Sequence, residues 1–319
     1  MEVIIQPDAD RAATLAARLI AARLRDKPDL VLGLATGRTM ERVYARLAEM
    51  HEGGGLDFSR AQSFNLDEYI GLSARDERSY RHYMNRHLFA RVNIDLAHTH
   101  LLDGTAPDLK AEAVRYEALI RAAGGIDLQL LGIGEAGHIG FNEPLSALMS
   151  RTRDKALTPT TLKQNAAMFG GDLEKVPKRA LTMGVGTILD ARELLVLVTG
   201  AAKAEILARA VEGPITAMVS ASAIQLHPSC KVIADEDAAG RLRGRDYYDW
   251  IFRNEPEWAA FRDCCRPLRA RRAMSTAPSS ASPFGSTSRA RTSAGSQGAI
   301  GRARPPARAT LGAPAAPRA

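Results

Sequence analysis

Short apolar runs and longer amphipathic stretches take turns along the first 262 residues. VIIQ at 3–6 reads as a strand. Residues 8–27 (DADRAATLAARLIAARLRDK) return apolar side chains every three or four positions and begin beside Asp8 and Asp10, as a helix start requires. LVLGLA at 30–35 is a buried-strand run, closed by Thr36 and Gly37 before a helix that reaches to about residue 50. SFNL at 63–66, THLLD at 99–103, LQLLGIG at 128–134, ELLVLVTG at 193–200 and CKVIAD at 230–235 continue the series. Helical patterns fall between several of them, among them 109–123 and 201–212. This alternation predicts an α/β domain, a mostly parallel sheet covered by helices on both faces.

Ligands of such sheets bind beyond the carboxyl ends of the strands. The glycine-rich and polar segments sit at those ends: TGRT after LVLGLA, DEY after SFNL, EAGHIGFNEP after LQLLGIG, and TGAAK after ELLVLV. TGRT is a glycine turn opening a helix, where free backbone N–H groups attract anions, but it matches neither GxxxxGK[ST] nor GxGxxG and so argues against a nucleotide. FNLDEY places two carboxylates at a strand mouth; taken alone, Asp67 reads as a helix N-cap, with a general base as the alternative. His138 stands among Gly132, Gly134, Gly137 and Gly140. On a helix His138 and Glu143 would diverge, whereas on an irregular loop ending at Pro144 they can converge, with the carboxylate orienting the imidazole. Lys203 follows a strand end, well placed for a phosphate.

Composition narrows the class. A chain of 319 residues can bury a sizeable core, and no stretch approaches the roughly 20 apolar residues of a membrane span. MEVIIQPDAD has no basic segment followed by an apolar one, so no secretory signal is visible. Three cysteines, Cys230, Cys264 and Cys265, form neither a disulfide framework nor a spaced metal site. A reduced cytoplasm fits these features, and no metal or cofactor is called for. The formal charge of +7 misleads, because ten arginines and no acid lie beyond residue 265; without those ten, 33 basic residues face 36 acids. Residues 263–319 are a low-complexity arginine, alanine, serine and proline segment that cannot bury enough surface to order itself. We expect a disordered tail there, and with one phenylalanine among the arginines nucleic acid is not the expected partner. Residues 1–262 are expected to form one large domain.

GLATGRT, FNLDEYIGL, GIGEAGHIGFNEP, SRTR, VPKRALTMGVGTILDA and TGAAKAEILARAVEG followed by SASAIQLHP resemble, in that order, the glucosamine-6-phosphate deaminase (glucosamine-6-phosphate isomerase) family. The resemblance covers nearly all of residues 1–250. It implies a Rossmann-like fold and an enzyme, of hydrolase or isomerase type, that turns glucosamine 6-phosphate and water into fructose 6-phosphate and ammonium in amino-sugar catabolism. It implies that Asp67 moves a proton between C2 and C1, and that His138, assisted by Glu143, opens the pyranose ring. Thr36, Gly37, Arg38, Thr39 and Lys203 would grip the phosphate. It further implies a homo-oligomer, and an allosteric site for N-acetylglucosamine 6-phosphate using Ser146, Arg153 and Lys155.

The chain departs from the family at several positions. Ala136 stands where the family carries Asp or Asn in the ring-opening group, leaving Glu135 as a substitute. Ala167 stands where an arginine commonly meets the phosphate, Arg38 and Met40 replace a small residue and a proline in the phosphate turn, and Ala147 replaces an effector-site serine. Two alternatives follow: a hydrolase resembling 6-phosphogluconolactonase, and a sugar-phosphate-binding protein with little turnover.

Overall fold

The computed structural model describes residues 1–262; the expectations for 263–319, with Cys264 and Cys265, fall outside the described residues. Ten strands are present among them: β1 (Glu2–Gln6), β2 (Val31–Leu34), β3 (Gln62–Asn65), β4 (Asp67–Tyr69), β5 (Thr99–His100), β6 (Leu128–Leu131), β7 (Arg153–Ala156), β8 (Arg179–Thr182), β9 (Glu193–Val198) and β10 (Cys230–Asp235). The helices are α1 (Ala9–Asp26), α2 (Arg38–Glu52), α3 (Tyr80–His87), α4 (Leu109–Ala122), α5 (Pro159–Asn165), α6 (Val185–Leu189), α7 (Ala204–Val211) and α8 (Arg245–Asn254). Every strand and helix read from the apolar pattern is there, within a few residues of its expected bounds. Asp8 caps α1 as its position suggested, accepting from the Arg11 N–H.

Seven strands form one parallel sheet in the order β1-β10-β9-β6-β2-β3-β5. From β2 the chain steps outward to β3 and β5, then returns through β6, β9 and β10 on the other side. Right-handed crossovers therefore put α2 on one face and α4 and α7 on the other. The reversal lies between β2 and β6, and a crevice opens at their carboxyl ends. Strands β2, β6, β9 and β10 are buried along their whole length, which is why they read as continuous apolar runs.

The apolar pattern gave no sign of a second, antiparallel sheet, β4-β8-β7. It pairs Asp67 with Thr182 and Arg153 with the same residue from the other side. A small separate core lies against it, in which Tyr69, Tyr80, Phe141 and Phe169 pack ring to ring at centroid distances of 5.1–6.1 Å. This sheet places Asp67 and, through Phe169, holds the α5 segment over the end of the main sheet.

Candidate active site

The loops after β2, β3, β6 and β9 leave four neighbouring strands of the sheet, and with α5 they enclose one cleft of about 690 Å³. Thr36, Gly37, Arg38, Thr39, Asp67, Glu135, His138 and Lys203 all line it.

Its cationic end is built from two turns. Gly37 precedes α2 with φ 115°, a conformation open to glycine, and supplies no side-chain cap. The first-turn N–H groups of α2 therefore have no side-chain acceptor from the cap residue and sit at the positive end of the helix dipole. Tyr83 fixes this turn by donating its hydroxyl to the Gly37 carbonyl at 2.9 Å. The Thr39 and Thr199 hydroxyls, 3.4 Å apart, join it to the turn after β9. There the buried Asp235 carboxylate accepts the Gly200 N–H at 3.0 Å, three residues before Lys203. Burial pushes the Lys203 amine below its ordinary pKa, and the charge of Glu135 opposes that shift. Arg38 is exposed to the cleft.

The imidazole stands deeper. His138 is buried, and its Nδ1 lies 3.1 Å from Glu143 Oε2, so the irregular loop brings the pair together as expected. Glu143 also accepts the Thr158 N–H at 3.0 Å. Burial pushes the Glu143 carboxyl up, but the His138 hydrogen bond and charge, with Thr161 and Thr158, outweigh it and hold the group below the usual range. Gly134 is needed for contact: a side-chain carbon there would lie 2.0 Å from His138 Nε2.

Asp67 is buried opposite this loop; a side-chain carbon at Gly140 would lie 3.5 Å from its Oδ2. Asp67 caps no helix. It opens β4, and it is the neighbouring Glu68 that reaches a helix start, its carboxylate accepting the Tyr80 and Arg81 N–H groups of α3 at 3.0 and 3.1 Å beside the Ser79 cap. The cap reading failed because the helix that is capped begins a dozen residues later. Burial, reinforced by the Glu68 charge, pushes Asp67 up to about 8; burial also pushes Glu68 to about 7, against its three backbone N–H donors and the Arg81 charge.

Ala136 does not line the cleft and presents no polar atom, whereas its neighbour Glu135 does line it. Ala167 is exposed and also outside the lining. Met40 is buried beneath Gly132 as well as lining the cleft. Ser146, Arg153 and Lys155 lie away from the cleft. Arg153 and Lys155 alternate along β7, and Arg153 donates to the Asn142 side chain at 2.9 Å. Ser146 is buried with its hydroxyl unpaired.

Tyr80, Phe141, Gln164 and Asn165 also line the cleft and escaped the sequence reading. Ser79, which caps α3, and Thr158-Pro159, which open α5, were the available signals, since both mark helix starts. Among the described residues no cluster of three His, Cys, Asp or Glu side chains could hold a metal, and no helix is long and apolar enough to cross a membrane.

Residues 7–233 match the family model described as glucosamine-6-phosphate isomerases/6-phosphogluconolactonase. A glucosamine-6-phosphate deaminase of an Arthrobacter species is 50% identical over 258 residues, which cover 81% of this chain and 99% of that protein. The deaminase of Streptomyces coelicolor is 46% identical over the same shares of the two chains. A solved monomeric glucosamine-6-phosphate deaminase superposes with a TM-score of 0.74 at 41% identity, covering 76% of this chain and all of that one. The 6-phosphogluconolactonase of Trypanosoma brucei, at 20% identity and a TM-score of 0.59 over 76% and 98% of the two chains, shares the fold alone. On the strength of the matched span and these identities, the chain belongs to the glucosamine-6-phosphate isomerase/6-phosphogluconolactonase family, on the side of its deaminases.

Proposed function

We propose that this protein converts glucosamine 6-phosphate and water to fructose 6-phosphate and ammonium. The observation that carries the reading is that Asp67, His138 and Lys203 line one cleft, with Glu143 against the imidazole. Lys203, Arg38 and the 36–39 turn take the phosphate and so orient a small polar substrate. His138 accepts the O1 proton and returns one to the ring oxygen, which opens the pyranose; Glu143, 3.1 Å from Nδ1, holds the imidazole in its orientation. Asp67 then removes the C2 proton, giving an enolamine, and delivers a proton to C1. The C2 imine that results takes up water and releases ammonium, leaving the ketone. A carboxylate raised to about 8 is a stronger base than an ordinary one, as abstraction of a carbon-bound proton requires.

Isomerase and deaminase describe this reaction; hydrolase, as the sequence suggested, is imprecise, because a proton shift between C2 and C1 must precede loss of the amine. The lactonase alternative loses support, since the 46–50% relatives are named deaminases and the likeness to the lactonase is of fold. Homo-oligomerisation, a response to N-acetylglucosamine 6-phosphate through Ser146, Arg153 and Lys155, and a cytoplasmic location belong to the same reading. A coupled ammonium assay on the full chain tests its centre. Ammonium release no greater than from an Asp67→Asn control, with the sugar phosphate still bound by calorimetry, would replace the enzyme with a binding protein.

A further inference from the structure

The two walls of the cleft differ in charge. The cations that line it, Arg38, Arg42 and Lys203, all come from loops and a helix start at the edge of the main sheet. Arg42 is engaged by Asp10 at 3.1 Å, and Lys203 has Glu135 as its charged neighbour. The facing wall, from α5 and the turn after it, contributes Gln164, Asn165 and Met168, none of them charged. Gln164 reaches across the mouth: its Oε1 accepts the Glu135 N–H at 3.1 Å. An N–H can only donate, so this bond fixes which way round the amide sits and leaves Nε2 as its donor for other partners. Nε2 donates only. It can meet a hydroxyl, carbonyl or ring oxygen, and it cannot accept from an ammonium group.

We propose that the walls divide the substrate between them, the sheet-edge loops holding the phosphate while Gln164 reads an oxygen of the uncharged, hydroxyl-bearing part of the sugar and so determines specificity. This rests on the sugar-phosphate reading of the cleft but not on turnover.

Calorimetry on the full chain with two probes, inorganic phosphate and glucosamine 6-phosphate, tests it. Gln164→Ala is expected to weaken the sugar phosphate about fivefold, the worth of one neutral hydrogen bond, and to leave inorganic phosphate within twofold. Arg38→Ala is expected to weaken both about tenfold. Gln164→Met, which keeps the length and loses the donor, should behave as Gln164→Ala does. Equal loss of both probes in Gln164→Ala would overturn the proposal by giving the phosphate to the α5 wall, and loss of neither would remove Gln164 from substrate recognition. Because only binding is read, a wild-type protein that binds both probes but releases no ammonium would sink the deaminase reading and leave this one standing.

Discussion

Replacing Asp67 by asparagine should make the protein more stable and nearly inactive. The side chain is buried, and its pKa rises from 3.8 to about 8. An acid raised on folding favours the fold while protonated, so its contribution is complete below the unfolded pKa and disappears as pH climbs through the folded one. At pH 7 the unfolded chain ionises Asp67 while the folded chain mostly cannot. At about 1.4 kcal/mol per pH unit, the roughly three units above the unfolded pKa cost up to about 4 kcal/mol. Asparagine carries no charge and avoids that cost. The difference in unfolding free energy between Asp67→Asn and wild type should therefore be near zero below pH 4, grow through neutrality and level off above about pH 8. Over the same range wild-type kcat/KM should rise with pH and level near 8 as the base ionises, while the variant loses about 10²–10⁴-fold at every pH. Urea unfolding at pH 4, 6 and 8 and ammonium release at each pH supply both curves. A variant no more stable than wild type at pH 8, or one that keeps its activity, would refute the buried-base account.

Glu143→Gln leaves His138 without a charged partner, and kcat/KM should fall about 10–100-fold in the ammonium assay with the fold intact by circular dichroism. Gly134→Ala drives a methyl into the imidazole and should cost at least about 10²-fold in activity, with a chemical-shift change at His138 in the NMR spectrum. Lys203→Met should raise KM for glucosamine 6-phosphate about 10–100-fold with kcat nearly kept, and should leave the weak binding of unphosphorylated glucosamine unchanged.

The loops that carry the chemistry were legible because each follows an apolar strand run, and a parallel sheet delivers the carboxyl ends of its strands to one edge. The central strands were legible because burial on both faces makes most of their positions apolar. The β4-β8-β7 sheet was not. Asp67, Glu68 and Arg153 are charged, Arg179 begins β8, and the pairing that makes β4 a strand joins it to β8, more than a hundred residues further along the chain. No local pattern records such a partner.

The sequence alone determined the α/β class, the strand series and the glycine-framed histidine, since periodicity and backbone freedom are properties of neighbouring residues. Tertiary structure decided the surroundings of the two carboxylates at 67 and 68, one left without N–H donors and raised by burial, the other accepting N–H groups at the start of α3, because burial and hydrogen-bond supply are set by distant segments. It also decided that Ala136 and Ala167 stand outside the cleft while Gln164 lines it, because a side chain's surroundings depend on the packing of whole elements rather than on its place in a motif.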